Sequence, residues 1–256
     1  MQQNRRVPMT RLRSGALVAW TSAWLAGAAA SDDVLRATVG GDSPHHVAGL
    51  PDAADDRLAP LSEALITWRR TASTVRLVLP VAGDVRGLPG PAQFRSTALD
   101  AGEAVLGGGL GLVPDVVESH PSSAPTSVTW RAYLVDEPPP DPLSVPDAQH
   151  DLSEAIREAA SALSAADVAG WIDDVSDALS DARRAGERLN LPPRFPLPAV
   201  RLLAQAERLH AVLDVAALDP TGGAIDRTGI AARSDALRPL AMAVRRARQA
   251  GYNAEL

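Results

Sequence analysis

The stretch PVAGDVRGLPGP, residues 80–91, carries the residue types best suited to holding a ligand. It follows an apolar run and precedes a predicted helix. Loops in that position are common anion sites, because unpaired N–H groups at a helix start point outward. Gly83, Gly87 and Gly90 permit close backbone approach, and Arg86 can pair with an anion while Asp84 orients it. The order of residues is neither a Walker A nor a G-x-G-x-x-G pattern, and no Lys is present to reach a phosphate. The competing reading is a rigid crossover loop in which Asp84 caps a turn and Arg86 bonds to it.

Other residues offer acid–base chemistry. His45 and His46 adjoin a short apolar run; neighbours on a strand point to opposite faces, so the two do not share one metal. His46 is the one taken as a weak catalytic candidate, with Glu103. Asp100 and Glu103 lie near the start of a predicted strand, and a carboxylate pair does acid–base work when its two environments differ. DDVSD, residues 173–177, matches an acidic metal–diphosphate pattern, but Asp181 and Arg184 share its helix face and a solvated acidic face explains it. His210 flanks an apolar stripe, His120 sits in a polar loop, and His150 lies on an exposed turn. Arg238, Arg245, Arg246 and Arg248 make the C-terminal helix basic, which suits its dipole and also suits an acidic partner. No G-x-S-x-G, H-E-x-x-H, EF-hand or zinc pattern occurs. Neither a metal site nor a cofactor is expected.

Composition narrows the class further. All 25 basic residues are Arg, which reflects codon usage in a GC-rich genome more simply than nucleic-acid binding. The net charge of -6 opposes phosphate backbones, so no nucleic-acid partner is expected. With no Cys, disulfides, thiolate metal sites and Cys nucleophiles are excluded. The 256 residues, 46% of them hydrophobic, suffice for one large domain or two small ones.

The elements that must position these residues fall into two halves. Ser14–Asp33 admits two readings. A basic start at Arg5, Arg6, Arg11 and Arg13, an uncharged run and Ala28-Ala29-Ala30 fit a signal peptide cleaved after Ala30. Leu12, Ala16, Ala19, Trp20, Ala23 and Trp24 instead share one face of a helix packed on a core, with Ser14, Thr21 and Ser22 on other faces. A second helix then starts at Ser31-Asp32-Asp33 and stops at Gly40-Gly41. The helical reading is preferred, and with it a cytoplasmic location; export is the alternative. No other stretch approaches the ~20 apolar residues of a membrane span.

Residues 45–50 are expected as a short strand, 61–70 as a helix buried through Leu61, Ala64, Leu65 and Trp68, and 75–81 as a central strand. Residues 91–106 read as a helix followed by a strand. Pro114 marks 111–117 as an edge strand, and 128–135 alternates as a half-buried strand. DEPPPDP, residues 136–142, is a stiff linker. The expected division is a mixed α/β sheet domain over 10–135, the linker over 136–142 and a helical domain over 143–256. The fold class is α+β: a small mixed β-sheet with flanking helices in the N-terminal half, and a helical bundle in the C-terminal half. Ser144 and Ser164 each open an S-x-x-D capping pattern, and Pro239 interrupts the last helix.

RSGALVAWTSAWLAG, HHVAGL, LPVAGDVRGLPGP, AGEAVL and GLVPDVV, with the Arg-rich helical C-terminus, resemble a family of uncharacterised proteins of high-GC Gram-positive bacteria. The resemblance runs from about Arg11 to Asn253 and brings no activity. It implies that W-x-x-x-W-L-A-G is part of the domain. Two functions follow: a soluble scaffold or regulatory protein acting through a protein partner or as a homo-oligomer, or an enzyme or sensor taking a small anionic ligand at 83–91.

Overall fold

The protein is described from a computed structural model over residues 12–51, 57–71, 74–117, 125–137, 143–165, 189–218 and 227–256. It divides into two units: residues 12–142 with 190–196 and 252–256, and residues 143–189 with 197–251.

The first unit is built on a mixed sheet in the order β2-β1-β6-β5-β4-β3. The strands are β1 (His46–Ala48), β2 (Ala59–Pro60), β3 (Arg76–Val78), β4 (Ala104–Gly107), β5 (Leu110–Val117) and β6 (Ser127–Leu134). β1 runs parallel to β6; the other neighbours are antiparallel. Gly108 and Gly109, with φ of 51° and 79°, turn β4 into β5, the left-handed pair that a two-residue hairpin demands.

Strand alternation sends Val78, Ala104, Leu106 and Val113 to one face, where Phe94 and Ala98 of α4 (Ala92–Ala101) complete a buried cluster. Leu77, Val105 and Leu112 point to the opposite face and are also buried. There α1 (Arg13–Leu25) lies against β3 and β4, and α3 (Leu61–Thr71) against β1 and β2. α2 (Ser31–Val39) packs on both α1 and α3. α3 buries the four residues its spacing marks. Gly40, at φ 55°, ends α2.

Three elements differ from expectation. β3 is the outer strand, not a central one; its apolar residues are buried because α1 covers one face and α4 helps to cover the other. β5 is an inner strand despite Pro114. β4 pairs only with Leu110–Leu112, so at Pro114 the strand has a neighbour on one side alone, and the missing N–H costs no bond on the open side. α1 is buried nearly all round rather than along one stripe: Ser14 and Thr21 are fully buried, whereas Trp20 and Trp24 are half-exposed. Packing from the sheet and from α2 reaches its polar flank.

The second unit has a core shared by α5 (Val145–Ala165), α6 (Leu197–Leu218) and α7 (Arg227–Tyr252). Leu152, Ala155 and Ala159, spaced three and four apart along α5, meet Leu202 and Ala206 of α6 and Leu240, Val244 and Ala247 of α7. Ser144 opens α5: its Oγ accepts the Asp147 N–H at 3.2 Å and donates to the Asp147 carboxylate at 2.5 Å. Ser164, expected to open a further helix, lies inside the last turn of α5; Asp167 and the helix expected after it, the 173–177 motif, His120 and most of the linker fall outside the described residues. No helix among the described residues is long and apolar enough to cross a membrane.

Candidate functional site

The 83–91 loop begins as a tight turn. Val81 and Asp84 exchange backbone hydrogen bonds at 3.1 and 2.9 Å, and Gly83 supplies the φ of 86° between them. The Arg86 guanidinium then donates twice to the Asp84 carboxylate, at 2.8 and 2.7 Å. Such a bidentate pair matches the fork of the guanidinium and neutralises its charge. A Cβ at Gly90 would come 2.8 Å from the Asp136 Oδ2, so a second carboxylate stands beside the loop. Asp84 engages the guanidinium an anion would need, and the Asp136 carboxylate beside the loop does not favour one.

His46 is exposed and His45 buried, on opposite faces as alternation requires. Asp100 is exposed on the last turn of α4, whereas Glu103 is buried. Glu103 serves α1: its Oε2 accepts the Ser14 N–H at 2.9 Å, in the first turn of a helix whose own N-cap, Leu12, supplies no side-chain bond. A carboxylate there meets the positive end of the helix dipole. His46 thus lies on β1, Asp84 in the turn after β3, Asp100 at the end of α4 and Glu103 just before β4.

Sequence reading missed a buried polar chain. Arg13 of α1 donates to both oxygens of Asp42, at 2.7 and 3.1 Å. Asp42 Oδ2 lies 3.3 Å from His45 Nε2, and the Trp130 indole N–H donates to His45 Nδ1 at 3.2 Å. Indole nitrogen only donates, so Nδ1 is the acceptor and the imidazole proton sits on Nε2, facing Asp42. An Asp–His pair of this kind orients a general base, but here the second nitrogen faces Trp130 rather than an opening. The signal was an Asp three residues before the His, just past a helix stop; choosing His46 over His45 passed over it.

The helical unit carries a second group of charges. Arg248 of α7 donates from Nε to Glu207 of α6 at 2.9 Å, both side chains largely buried. One turn on, His210 Nδ1 lies 3.6 Å from Asp214 Oδ1, beyond hydrogen-bond range. Burial, and then the Arg248 cation, push His210 down to about 4. Burial raises Asp214, which Arg248 partly opposes. Neutral at pH 7, His210 makes no ion pair with Asp214. Among the described residues no group of three or more acidic or His side chains is placed to hold a metal.

With these arrangements in view, comparison places the chain. Residues 14–144 match the family described as Rv1486c-like protein, N-terminal domain, and residues 146–249 match its C-terminal domain. The protein belongs to this Rv1486c-like family. It is 35% identical to the Mycobacterium tuberculosis (strain ATCC 25618 / H37Rv) protein named Uncharacterized protein Rv1486c, over 95% of this chain and 96% of the relative. It is 31% identical to Uncharacterized protein ML1804 of Mycobacterium leprae (strain TN), over 95% and 97%. Uncharacterized protein MAV321 of Mycobacterium avium is 29% identical over the same shares. No solved structure matches the chain. The resemblance read from the sequence, to a family of high-GC bacteria, holds; no relative's name carries an activity.

Proposed function

We propose that this is a cytoplasmic, non-catalytic scaffold or regulatory protein that works through a protein partner. The observation that carries this reading is how its reactive groups are used. Arg86 binds Asp84, Arg13 binds Asp42, His45 lies between Asp42 and Trp130, and Glu103 caps α1. Each is engaged by a partner within the protein at the place where chemistry would need it open to a substrate. The sheet domain, the Pro-rich linker and the helical domain then act as modules for presenting surface.

The cytoplasmic location rests on α1. Cleavage after Ala30 would remove a helix whose Leu17, Val18 and Ala19 have no exposed surface. A small anion at 83–91 would have to draw Arg86 away from Asp84, which is why the ligand reading ranks second. The deciding experiment is native mass spectrometry of the full-length chain, tagged at its C-terminus and purified gently from its own host. A stoichiometric protein partner is the expected result. A few hundred daltons of extra mass, lost on denaturation and absent from Arg86→Ala, would replace this reading with the ligand one.

A further inference from the structure

β3 is the last strand of the sheet, so the side of Leu77 away from β4 is an open edge. Among the described contacts, one side chain closes it at Leu77. The Asn253 Oδ1 accepts the Leu77 N–H at 2.7 Å, and the Asn253 Nδ2 donates to the Leu77 C=O at 2.9 Å. A carboxamide has the donor and acceptor of a peptide group, so Asn253 supplies what one residue of a neighbouring strand would supply. The residue before it is fitted separately. Tyr252 is buried, and its ring lies so close to Gly15 of α1 that a Cβ there would come within 2.8 Å of it. Two successive residues thus seat the end of the chain, one on a helix and one on a sheet edge, while Glu255 and Leu256 are exposed.

We propose that Asn253 is a strap that closes the β3 edge against pairing with β3 of a second copy. An uncovered edge offers unpaired N–H and C=O groups to any extended chain, and an identical strand is always at hand. The strap's described hold on the edge is two hydrogen bonds, each of small net strength once water competes. Its loss leaves the burial of Leu77 and Val78 beneath α1 and α4 in place, so the edge opens without the sheet coming apart.

The test uses the full-length chain with Asn253→Ala. Amide exchange at Leu77 is compared with that at Leu106, a strand residue away from the edge, and association is followed by sedimentation velocity over a range of concentrations. Expected are roughly tenfold faster exchange at Leu77, the size of a lost hydrogen bond, no change at Leu106, and stronger concentration-dependent association than the parent shows. Unchanged exchange at Leu77 would overturn the strap. Faster exchange with the parent's association would overturn its role as a guard. Asn253→Leu, which keeps the size of the side chain but removes both its donor and its acceptor, is read the same way if the alanine variant does not fold. Gly15→Ala, which displaces the Tyr252 ring, should reproduce both changes without touching Asn253.

Discussion

At the residue scale, burial decides what each charged group can do. Arg13 and Asp42 are both about nine-tenths buried, so removing one partner uncovers a charge that the fold has already paid to desolvate. Arg13→Met should cost about 3 kcal/mol, measured by urea unfolding, whereas Arg86→Ala, on an exposed guanidinium, should leave the midpoint almost unchanged. His210 gives a pH prediction. Its folded value, about 4, lies below the ordinary 6.5, so between those limits the unfolded chain binds the extra proton. Stability contributed by neutral His210 is therefore present above pH 6.5 and lost as the pH falls toward 4. Asp214, raised in the fold, acts with the opposite sign, since the folded state holds its proton more firmly. His210→Gln should flatten the acid limb of a thermal-melt series between these pH values. Arg248→Gln should move the His210 NMR titration upward, because it removes the cation that helps to depress it.

At the element scale, two of the contacts between the helices and the sheet can be tested one residue at a time. Glu103→Ala should lower stability by about 1–2 kcal/mol, since it uncovers a buried N–H at the start of α1 and removes a charge from its dipole. Gly111 is the only residue that fits beneath α4: a Cβ there would come 2.8 Å from the Phe94 ring. Gly111→Ala should therefore destabilise by about 1–3 kcal/mol through overpacking, again read from unfolding curves. These elements also show how far sequence reaches. The α3 stripe, the α5 cap and the Gly40 stop were legible because each is a local pattern of period or φ. The places of β3 and β5 were not, because strand order depends on which partners arrive from afar. Pro114 did report a one-sided neighbour, but only for half of its strand. The polar chain from Arg13 to Trp130 was hidden for the same reason: its members come from α1, the turn after α2, the approach to β1, and β6, and a short spacing in sequence joins only Asp42 and His45.

At the scale of the whole molecule, compartment turns on the first thirty residues. The opening apolar run has the composition of a signal and the burial of a core helix, and only the second property can be tested by folding. Removing residues 1–30 takes away Arg13 from Asp42, the Ser14 N–H from Glu103 and the Gly15 seat of Tyr252, along with the helix beneath β3 and β4. The described core of the helical unit contains no residue of α1. The shortened chain should therefore keep much of its helical circular dichroism, lose protection of the sheet amides in hydrogen exchange, and be cut by protease between Ser31 and Val135. A chain beginning at Ser31 that kept its sheet amides protected would show that α1 is dispensable, and export with cleavage after Ala30 would become the better reading.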